Sequence, residues 1–395
     1  MDFLRKTLDD LSRSGLLREL RCVDGAQGPA VRIAGREYVC LCSNNYLGFA
    51  SRPETARAAA RAAEEFGCGS GASRLVSGNT ALHEELEAAI ARLKARPAAI
   101  LFPTGYMANV GAISALVSSK DAVIVDKLDH ASIIDGCRLS GARILVYRHY
   151  DPGKLEHVLS KSHNYRRKLV ITDSVFSMDG DVAPLPSIIE VCNKHGAMLM
   201  IDEAHATGVL GATGRGTEEH FGLLESEAAD RSTIVMGTLS KAVGSFGGFV
   251  AGSRELVDYL KNTARSFIYT TALPPSVCAA SLAGIRLIEV DSQSREKLQS
   301  NIRLLSHLLS DLLPGAQQSG SNSSPVTPIF PIHVGDAARA VAVSQRLFEA
   351  GYLCPAIRPP TVPAGTSRLR VSVQAGHTQQ QLRGFVETLA AEIGD

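Results

Sequence analysis

The sequence carries almost no net charge and contains no long apolar run. Its 395 residues have a formal net charge of +1, so we expect no charged surface for nucleic acid or for an acidic membrane. No run reaches about 18 apolar residues, the length that a membrane-spanning helix needs. The charged, amphipathic stretch from Met1 to Leu20 lacks the apolar core of a secretory signal. These absences favour a cytoplasmic protein that binds neither nucleic acid nor membrane.

Paired cysteines at metal-binding spacing are also missing. Cys40 and Cys42 lie two residues apart, on one face if the segment is a strand, but no second pair follows. We therefore predict no metal site. The cysteines are interpreted as small buried hydrophobes of a protein in a reducing compartment. They are Cys22, Cys40, Cys42, Cys68, Cys137, Cys192, Cys278 and Cys354.

A phosphate-binding loop of the form GxxxxGK[ST] is absent as well. The segment Asp202-Glu203-Ala204-His205 matches the DEAH box of helicases. A helicase would also need the missing loop. The sequence therefore argues against a nucleotide hydrolase.

Short apolar runs that alternate with helical stretches predict the main part of the fold. The predicted strands are Ala98–Phe102, Ala122–Val125, Ile144–Tyr147, Leu169–Thr172, Met198–Ile201, Thr233–Met236 and Phe249–Ala251. Most of these runs are apolar throughout, as in strands that are buried on both faces. We therefore predict an α/β fold with a mainly parallel sheet covered by helices, and ligands at the carboxyl ends of the strands.

The flanking segments predict an arm and a second domain. Before the sheet we predict a helix over residues 2–21, a hairpin of Ala30–Ile33 and Tyr38–Leu41, and a helix marked by Leu82, Leu86, Ile90 and Leu93. After Pro274-Pro275 we predict a helical region to about Leu313, a surface loop (Gly315 to Ser324), a strand (Ile329–Val334), a helix (Ala337–Ala350) and a strand (Arg368–Val373). A chain of this length suggests two domains. We place an N-terminal arm at 1–45, a large domain at 46–280 and a smaller C-terminal α+β domain at 281–395.

Asp202 and Lys241 form the strongest pair of chemistry-bearing residues. Asp202 ends one predicted strand and Lys241 follows the next by five residues, so both can face a ligand at one edge of the sheet. Pyridoxal phosphate (PLP) needs such a pair. A lysine amine forms a Schiff base with it, and an acidic partner keeps the pyridine nitrogen protonated. Each residue alone is also common at strand ends without any function.

The turn around Lys241 supports this interpretation. Thr238 and Ser240 bring hydroxyls close to the lysine. Burial beside a cofactor is expected to lower the pKa of the lysine, because desolvation disfavours its charged form. Three glycines that follow allow close approach of the backbone to a ligand. They are Gly244, Gly247 and Gly248.

Three further segments directly follow predicted strands. The segment Thr104–Asn109 opens a predicted helix, whose exposed amides and dipole favour a phosphate group. His130 offers an imidazole that can stack on a pyridine ring, or it is an ordinary polar group of the surface or core. Ser177 either donates to a cofactor or caps the turn at Asp179-Gly180.

Arg358 lies in a proline-rich segment, Arg358-Pro359-Pro360-Thr361-Val362-Pro363. The prolines stiffen the chain. A rigidly held arginine suits bidentate capture of a carboxylate. The alternative is a salt bridge between domains.

Taken together, these segments resemble the α-oxoamine synthases, a family of fold-type-I PLP enzymes that condense an amino acid with an acyl thioester and release carbon dioxide. The resemblance covers about residues 16 to 390. The matching segments are Ser43-Asn44-Asn45-Tyr46-Leu47-Gly48, Gly69-Ser70-Gly71, Ser77-Gly78, His83 with Leu86-Glu87, His130-Ala131-Ser132, Phe176-Ser177-Met178-Asp179-Gly180, Asp202-Glu203-Ala204-His205-Ala206-Thr207-Gly208 and Thr238 to Lys241. The family has a large domain with a mainly parallel sheet and a smaller α+β domain.

The resemblance also implies roles for the site residues. Lys241 is implied to hold PLP and to shuttle a proton, Asp202 to pair with the pyridinium, and His205 to bond the ring hydroxyl. His130 is implied to stack on the ring. The other implied cofactor contacts are Gly105, Tyr106, Ser177, Thr238 and, from the second subunit of a homodimer, Thr271. The implied substrate contacts are Arg358 and Thr361 for the amino-acid carboxylate, Asn44, and Arg18 near the acyl group, with Arg21 as the alternative to Arg18.

Two segments favour different substrates within the family. Residues 358–363 with 368–370 resemble members that use L-alanine and pimeloyl-CoA, or the pimeloyl carrier protein, to make a biotin precursor. Ile133-Ile134-Asp135-Gly136 resembles members that use glycine and acetyl-CoA. Asp173 departs from the family pattern, which usually has Glu there. A catalytically silent partner subunit is the alternative outside the enzymes, and such a subunit would be expected to lack Lys241.

Overall fold

The fold is known from a computed structural model that describes residues 1–224, 233–312 and 327–394. The chain divides into two units. The first comprises residues 1–48, 178–180 and 296–395, and the second comprises residues 49–177 and 181–295. The predicted domain boundaries stay predictions, and the predicted loop from Gly315 to Ser324 lies outside the described residues.

The described residues form strands and helices in alternation. The strands are β1 (Ala30–Ile33), β2 (Arg36–Cys40), β3 (Ala98–Phe102), β4 (Ala122–Asp126), β5 (Arg143–Tyr147), β6 (Lys168–Asp173), β7 (Met198–Asp202), β8 (Ile234–Thr238), β9 (Gly248–Gly252), β10 (Ile329–Gly335), β11 (Tyr352–Leu353), β12 (Ala356–Ile357) and β13 (Ser367–Ser372). The helices are α1 (Asp2–Arg13), α2 (Pro53–Phe66), α3 (Ala81–Leu93), α4 (Gly105–Leu116), α5 (Ala131–Ser140), α6 (Pro152–Ser160), α7 (Leu185–Lys194), α8 (Thr217–His220), α9 (Arg254–Thr263), α10 (Arg265–Ile268), α11 (Pro275–Val290), α12 (Ser292–Leu312), α13 (Ala337–Glu349) and α14 (Gln379–Gly394). No helix within the described ranges is long and apolar enough to cross a membrane.

The second unit is built on a seven-stranded sheet in the order β3-β9-β8-β7-β6-β4-β5. Pairing is parallel from β8 through β5, while β9 runs antiparallel to both β8 and β3. The prediction of a mainly parallel α/β sheet is confirmed. Since the strands are joined by helical crossovers, both faces of the sheet are available for helices.

Burial of alternate residues shows that both faces are covered. Successive side chains of a strand point to opposite faces. In β3, Ile100 and Phe102 join the core with α4, α5, α9 and α10, while Ala99 and Leu101 on the opposite face are also buried. The edge strand β5 is the exception, because its Val146 is 55% exposed.

The strand register brings the carboxyl ends of β6, β7 and β8 to one edge. Asp173 pairs with Asp202, and Asp202 pairs with Met236. In the strand order, β4 adjoins β6 on the other side. The segments that follow these strands therefore meet at one edge of the sheet, as the sequence predicts for a ligand site.

The first unit contains two small sheets. One has the order β1-β2-β11 and the other β10-β13-β12. The predicted hairpin around Gly35 is present, with Ala30 opposite Val39. The short strands β11 and β12 were not predicted, because two-residue strands carry no periodic pattern. The last helix, α14, was not predicted either.

The predicted helix over residues 2–21 is wrong in its extent. It ends at Arg13, and Gly15 adopts a left-handed φ of 66°. The amides of Gly15 and Leu16 donate to the carbonyls of Ser12 and Leu11, the pattern by which glycine ends a helix. No residue of α1 is buried, so its apolar periodicity does not reflect a buried face.

The helical region after Pro274-Pro275 is two helices, α11 and α12, separated at Asp291. The carboxylate of Asp291 accepts hydrogen bonds from the amide and the hydroxyl of Ser294. This is the arrangement by which an aspartate starts a helix. The helix α2 was not predicted, because its alanine-rich sequence has few large apolar residues.

The cysteines are only partly as predicted. All eight are free, but Cys22 and Cys68 are exposed, so the description as buried hydrophobes is wrong for these two. The sulfurs of Cys40 and Cys42 lie 3.9 Å apart. The hydrogen bond between them lowers the pKa of Cys40 to about 7.

Candidate active site

A cavity of about 220 Å³ opens at the carboxyl edge of the seven-stranded sheet. Its walls come from the turns after β3, β4, β6, β7 and β8, all within the second unit. Eight of the predicted site residues line it together. They are Gly105, Tyr106, His130, Ser177, Asp202, His205, Thr238 and Lys241.

Lys241 lies three residues beyond the end of β8, closer to the strand than the sequence predicts. Its Nζ is 2.7 Å from Nε2 of His205. A charged lysine donates in such a contact, so Nε2 of His205 accepts and the ring proton resides on the other nitrogen. His205, which the family resemblance places beside the ring hydroxyl of the cofactor, thus contacts Lys241.

Asp202 is the last residue of β7 and is 4% exposed. Its Oδ1 accepts the amide N–H of Ala204 at 2.9 Å. Its Oδ2 accepts from Nδ2 of Asn109 at 2.8 Å. Both oxygens are therefore held in fixed directions, and each keeps a lone pair for a cationic partner.

The amino end of α4 forms one wall of the cavity. Thr104 caps the helix, and its hydroxyl accepts from the amide of Met107. The hydroxyls of Thr238 and Ser240 are 2.8 Å apart. A β-carbon on Gly105 would lie 3.4 Å from that of Thr238, so these hydroxyls are close to the free amides of the first helical turn. Helix amides and hydroxyls together suit a phosphate group.

His130 caps the amino end of α5 with its side chain. Its Nδ1 accepts from the amide of Ser132 at 3.3 Å and lies 2.7 Å from the hydroxyl of that serine. Burial lowers the pKa of His130, and the positive charge of Lys241 opposes its protonation further. The imidazole is therefore neutral at pH 7.

Asp173 and Asp129 form a buried acidic pair below His130. Burial is the main cause that raises the pKa of both carboxyls well above the ordinary value. Asp129 accepts the amide N–H groups of Asp126 and Asp173, whereas Asp173 accepts that of His130. Amide donors favour the ionised form; Asp129 accepts two of them and Asp173 one, so Asp173 is the more easily protonated of the two carboxyls. The residue that departs from the family pattern thus lines the cavity as a buried acid with a raised pKa.

The predicted role of the glycines after Lys241 needs correction. A β-carbon on Gly248 would lie 2.5 Å from the carbonyl oxygen of Thr104. A β-carbon on Gly244, where φ is 76°, would lie 2.4 Å from the amide of Ala50. These glycines allow the backbone to approach other segments of backbone, so they shape the site without facing a ligand.

Arg358 lies in the first unit. Its guanidinium donates to the carbonyl of Gly15 and, at 2.7 Å, to that of Leu17. These carbonyls follow the end of α1. The arginine predicted to bind a carboxylate is therefore bound to the backbone of the N-terminal segment, and its contacts are not the predicted alternative of a salt bridge.

The other predicted substrate residues also lie in the first unit. Oδ1 of Asn44 accepts from the hydroxyl of Tyr46 and from Arg370. Arg18 and Thr361 are exposed. The guanidinium of Arg21 lies 3.9 Å from the ring centre of Phe348.

Thr271, in the second unit, is exposed and is not among the residues that line the cavity. A larger cavity, of about 570 Å³, is also present in the second unit. It is lined by Arg74, Glu87, Arg254 and neighbouring residues and shares no residue with the smaller cavity. We assign the site to the smaller cavity, because titratable groups with shifted pKa values, including His130 and Asp173, line it together with Asp202 and Lys241.

The sequence did not single out several polar residues of the cavity wall. Asn109 lies in a predicted segment without a predicted role of its own, and Ser132 and Ser240 are sequence neighbours of His130 and Lys241; all three line the cavity. The signal for Asn109 was present, because a polar residue within the apolar helix α4 must find a partner when buried.

The residues of the cavity fit PLP. An amine, an acid and a hydroxyl-lined helix end are what an aldehyde, a pyridine nitrogen and a phosphate require. They occur on three different walls of one cavity. The fit depends on side chains that the fold brings together from five turns.

Comparison with known proteins also supports PLP as the cofactor. The family model for aminotransferase class I and II matches residues 36–389. An 8-amino-7-oxononanoate synthase of Anaeromyxobacter dehalogenans is 47% identical over 100% of this chain and 96% of its own length. A serine palmitoyltransferase of S. paucimobilis, solved with bound PLP and myriocin, has a TM-score of 0.91 and 35% identity over 100% of this chain and 98% of its own.

A third relative also covers most of this chain. The crystal structure of 8-amino-7-oxononanoate synthase from Francisella tularensis has a TM-score of 0.75 and 29% identity, over 90% of this chain and 98% of its own. These relatives cover nearly the whole chain, so both units share the family architecture. The chain belongs to the aminotransferase class I and II family, as a PLP-dependent acyltransferase of the α-oxoamine synthase group.

Proposed function

We propose that the chain is an 8-amino-7-oxononanoate synthase, which condenses L-alanine with a pimeloyl thioester and releases carbon dioxide and the free thiol. The thiol is CoA or a carrier protein. The observation that supports this most is the 47% identity to a synthase of that name over the full chain. The convergence of Lys241, Asp202 and His205 in one cavity supplies the chemistry.

When bound, PLP supplies an electron sink for negative charge at the α-carbon of the amino acid. The carboxylate of Asp202 keeps the proton on the ring nitrogen, since its oxygens are fixed by Ala204 and Asn109. The amine of Lys241 is the attachment point, and it removes and returns a proton at the α-carbon. His205 orients that amine through its contact of 2.7 Å and bonds the ring hydroxyl.

The remaining residues bind and orient. The amides of Gly105 and Tyr106, with the hydroxyls of Ser177 and Thr238, hold the phosphate and neighbouring groups of the cofactor. His130 stacks on the ring. From the family resemblance, Arg358 and Thr361 bind the carboxylate of alanine, and Asn44 and Arg18 contact the acyl substrate. Arg358 would then exchange the carbonyls of Gly15 and Leu17 for that carboxylate.

A homodimer is part of the proposal, with Thr271 of one copy at the phosphate of the other. The exposure of Thr271 supports a role outside its own chain. Closed twofold dimers are also the commonest oligomers. A cytoplasmic location is proposed as well, supported by eight free cysteines.

The decisive experiment is a panel of amino acids and acyl thioesters, with release of free thiol as the measurement. Pimeloyl thioester and L-alanine together should give the highest kcat/KM. Absence of thiol release with this pair would contradict the proposal. Borohydride reduction followed by peptide mapping should place the cofactor on Lys241, and Lys241→Ala is the matched variant that should take no label.

The second candidate is transfer of an acetyl group from acetyl-CoA to glycine. The segment Ile133-Ile134-Asp135-Gly136 favours it, and Asp135 accepts a hydrogen bond from Tyr106 at the cavity wall. The same panel separates the two, because glycine with acetyl-CoA would then be preferred. A catalytically silent subunit would show neither thiol release nor the visible absorption of bound PLP.

A further inference from the structure

A continuous set of hydrogen bonds joins Asp202 to His130 through two residues that have no assigned role. Asn109, in α4, is 1% exposed. Its Nδ2 donates to Oδ2 of Asp202 at 2.8 Å and to the hydroxyl of Ser132 at 2.9 Å. The hydroxyl of Ser132 lies 2.7 Å from Nδ1 of His130.

The partners determine which way the amide of Asn109 faces. An amide nitrogen has two protons, and each is directed at one acceptor here. With the amide reversed, its oxygen would face the carboxylate of Asp202, and two acceptors would repel each other. Within the described part of the chain, Oδ1 of Asn109 has no hydrogen-bond partner. The molecule thus leaves a buried carbonyl oxygen unpaired so that both N–H groups reach Asp202 and Ser132.

The same hydrogen bonds determine which ring nitrogen of His130 carries the proton. The amide N–H of Ser132 points at Nδ1, which must therefore accept. The hydroxyl of Ser132 already accepts from Asn109, so its own proton is free to be donated to Nδ1. The neutral imidazole consequently carries its proton on Nε2.

We propose that Asn109 and Ser132 are positioning residues that hold the carboxylate of Asp202 and the Nε2–H tautomer of His130 as one hydrogen-bonded unit. The carboxylate is to face the ring nitrogen of the cofactor and the imidazole is to face the ring, so their relative placement is set before the cofactor binds. This inference rests on the proposed roles of Asp202 and His130. The tautomer is measured on the cofactor-free chain, so its failure is separate from a failure of those roles.

Two variants test the proposal, each with a matched control. Asn109→Ala removes both donors, and Asn301→Ala is its control. Asn301 is a buried asparagine whose Nδ2 donates to the carbonyls of Gln374 and His377, in the first unit. Ser132→Ala removes the bridging hydroxyl, and Ser344→Ala is its control. The hydroxyl of Ser344 donates to the carbonyl of Cys354 in the first unit.

The dissociation constant of PLP is the first measurement. Asn109→Ala should weaken binding by about tenfold or more, the effect of losing a hydrogen bond to a charged group. Asn301→Ala should lower the melting temperature and leave the dissociation constant within about twofold. If Asn109→Ala binds PLP as the unchanged chain does, or if Asn301→Ala loses as much affinity, the proposal is overturned.

The second measurement is the nitrogen NMR spectrum of labelled histidine in the cofactor-free chain. The unchanged chain and Ser344→Ala should show His130 as a single tautomer with its proton on Nε2. Ser132→Ala should show both tautomers. A single Nε2–H tautomer in Ser132→Ala would overturn the assignment, and this variant carries the test alone if Asn109→Ala does not fold.

Discussion

At the scale of single residues, hydrogen-bond donors distinguish two acids of the site that burial does not. Asp173 and Asp202 sit at neighbouring strand ends and are almost equally buried, at 4% exposure each. They differ in their donors, since Asp202 accepts from a side-chain amide and a backbone amide. Two acids that share one edge of a sheet can thus have different hydrogen-bond environments and different roles.

The raised pKa of Asp173 predicts a gain of stability on substitution. Asp173→Asn keeps the shape and the oxygen that accepts from His130, but it has no proton to gain. Because the folded state binds this proton more tightly than the unfolded state, the acid destabilises the fold increasingly as pH rises above about 4. Chemical denaturation at pH 8 should show the variant more stable by about 1–2 kcal/mol, with no gain near pH 4.

Asp121 is the control, because its pKa is lowered whereas that of Asp173 is raised. The hydrogen bond from Arg166 is the main cause that lowers the pKa of Asp121 to about 2. Its contribution is therefore present above the unfolded value near 3.8 and is lost as pH falls toward 2. Asp121→Asn should destabilise at pH 8. Equal effects of the two substitutions at pH 8 would contradict a raised pKa of Asp173.

The raised pKa of His149 predicts that stability falls at high pH. Burial opposes its charge, but hydrogen bonds to Asp126 and Asp181 outweigh burial and raise its pKa to about 10. Its contribution to stability is complete below the unfolded pKa near 6.5 and disappears as pH rises through 10. His149→Ala should cost about 2–4 kcal/mol at pH 6 and much less at pH 10. A loss that is constant with pH would show that packing against Phe176 stabilises the fold more than the two carboxylate contacts do.

At the scale of elements, the strands of the seven-stranded sheet and the helix α13 were predicted closely, whereas the end of α1 was not. Buried strands such as β3 and β7 are continuous apolar runs, which few other structures produce. The end of α1 depended on the backbone of Gly15, although apolar residues continue the helical period to Leu20. Short strands such as β12 exist only because β13 pairs with them.

Gly248 and Gly252, the first and last residues of β9, should respond differently to substitution by alanine. A β-carbon on Gly248 meets the backbone of Thr104, 2.5 Å away, at the amino end of α4. A β-carbon on Gly252 meets the end of the flexible side chain of Leu256 at the same distance. Gly248→Ala should destabilise by about 1–3 kcal/mol and weaken PLP binding, since it displaces the helix end proposed to hold the phosphate.

Gly252→Ala is the matched control for that substitution. We expect a smaller loss of stability, because a side chain can move where a backbone cannot. Its dissociation constant for PLP should stay unchanged. Thermal melting and PLP titration measure the two effects, and equal losses of affinity would refute a link between β9 and the phosphate site.

At the scale of the whole molecule, the proposed dimer predicts complementation between inactive copies. Lys241→Ala lacks the amine, and Thr271→Ala lacks the hydroxyl proposed to reach the partner's phosphate. In a mixed dimer, one site would combine an intact Lys241 with an intact Thr271 from the other copy. After unfolding and refolding the two variants together, PLP retention and thiol release should exceed the mean of the separate variants. Sedimentation of the unchanged chain should give twice the mass of one chain.

The chemistry of the site was largely accessible from the sequence, and its geometry was not. Asp202 and Lys241 could be paired from the sequence because strand ends of a parallel sheet meet at one edge. The contact between Lys241 and His205, the raised pKa of Asp173 and the role of Asn109 depend on distances between side chains from different turns. The periodicity of apolar residues along the sequence contains no information about such distances.

The sequence by itself determined the fold class and the cofactor chemistry, because apolar runs, strand ends and motif residues are local properties of the chain. Only the tertiary structure decided which carboxyls have a raised pKa, which nitrogen of His130 accepts hydrogen bonds, and that Arg358 is bound to the carbonyls of Gly15 and Leu17. Those outcomes depend on desolvation and on donors that come from distant parts of the chain, and both exist only once the chain has folded.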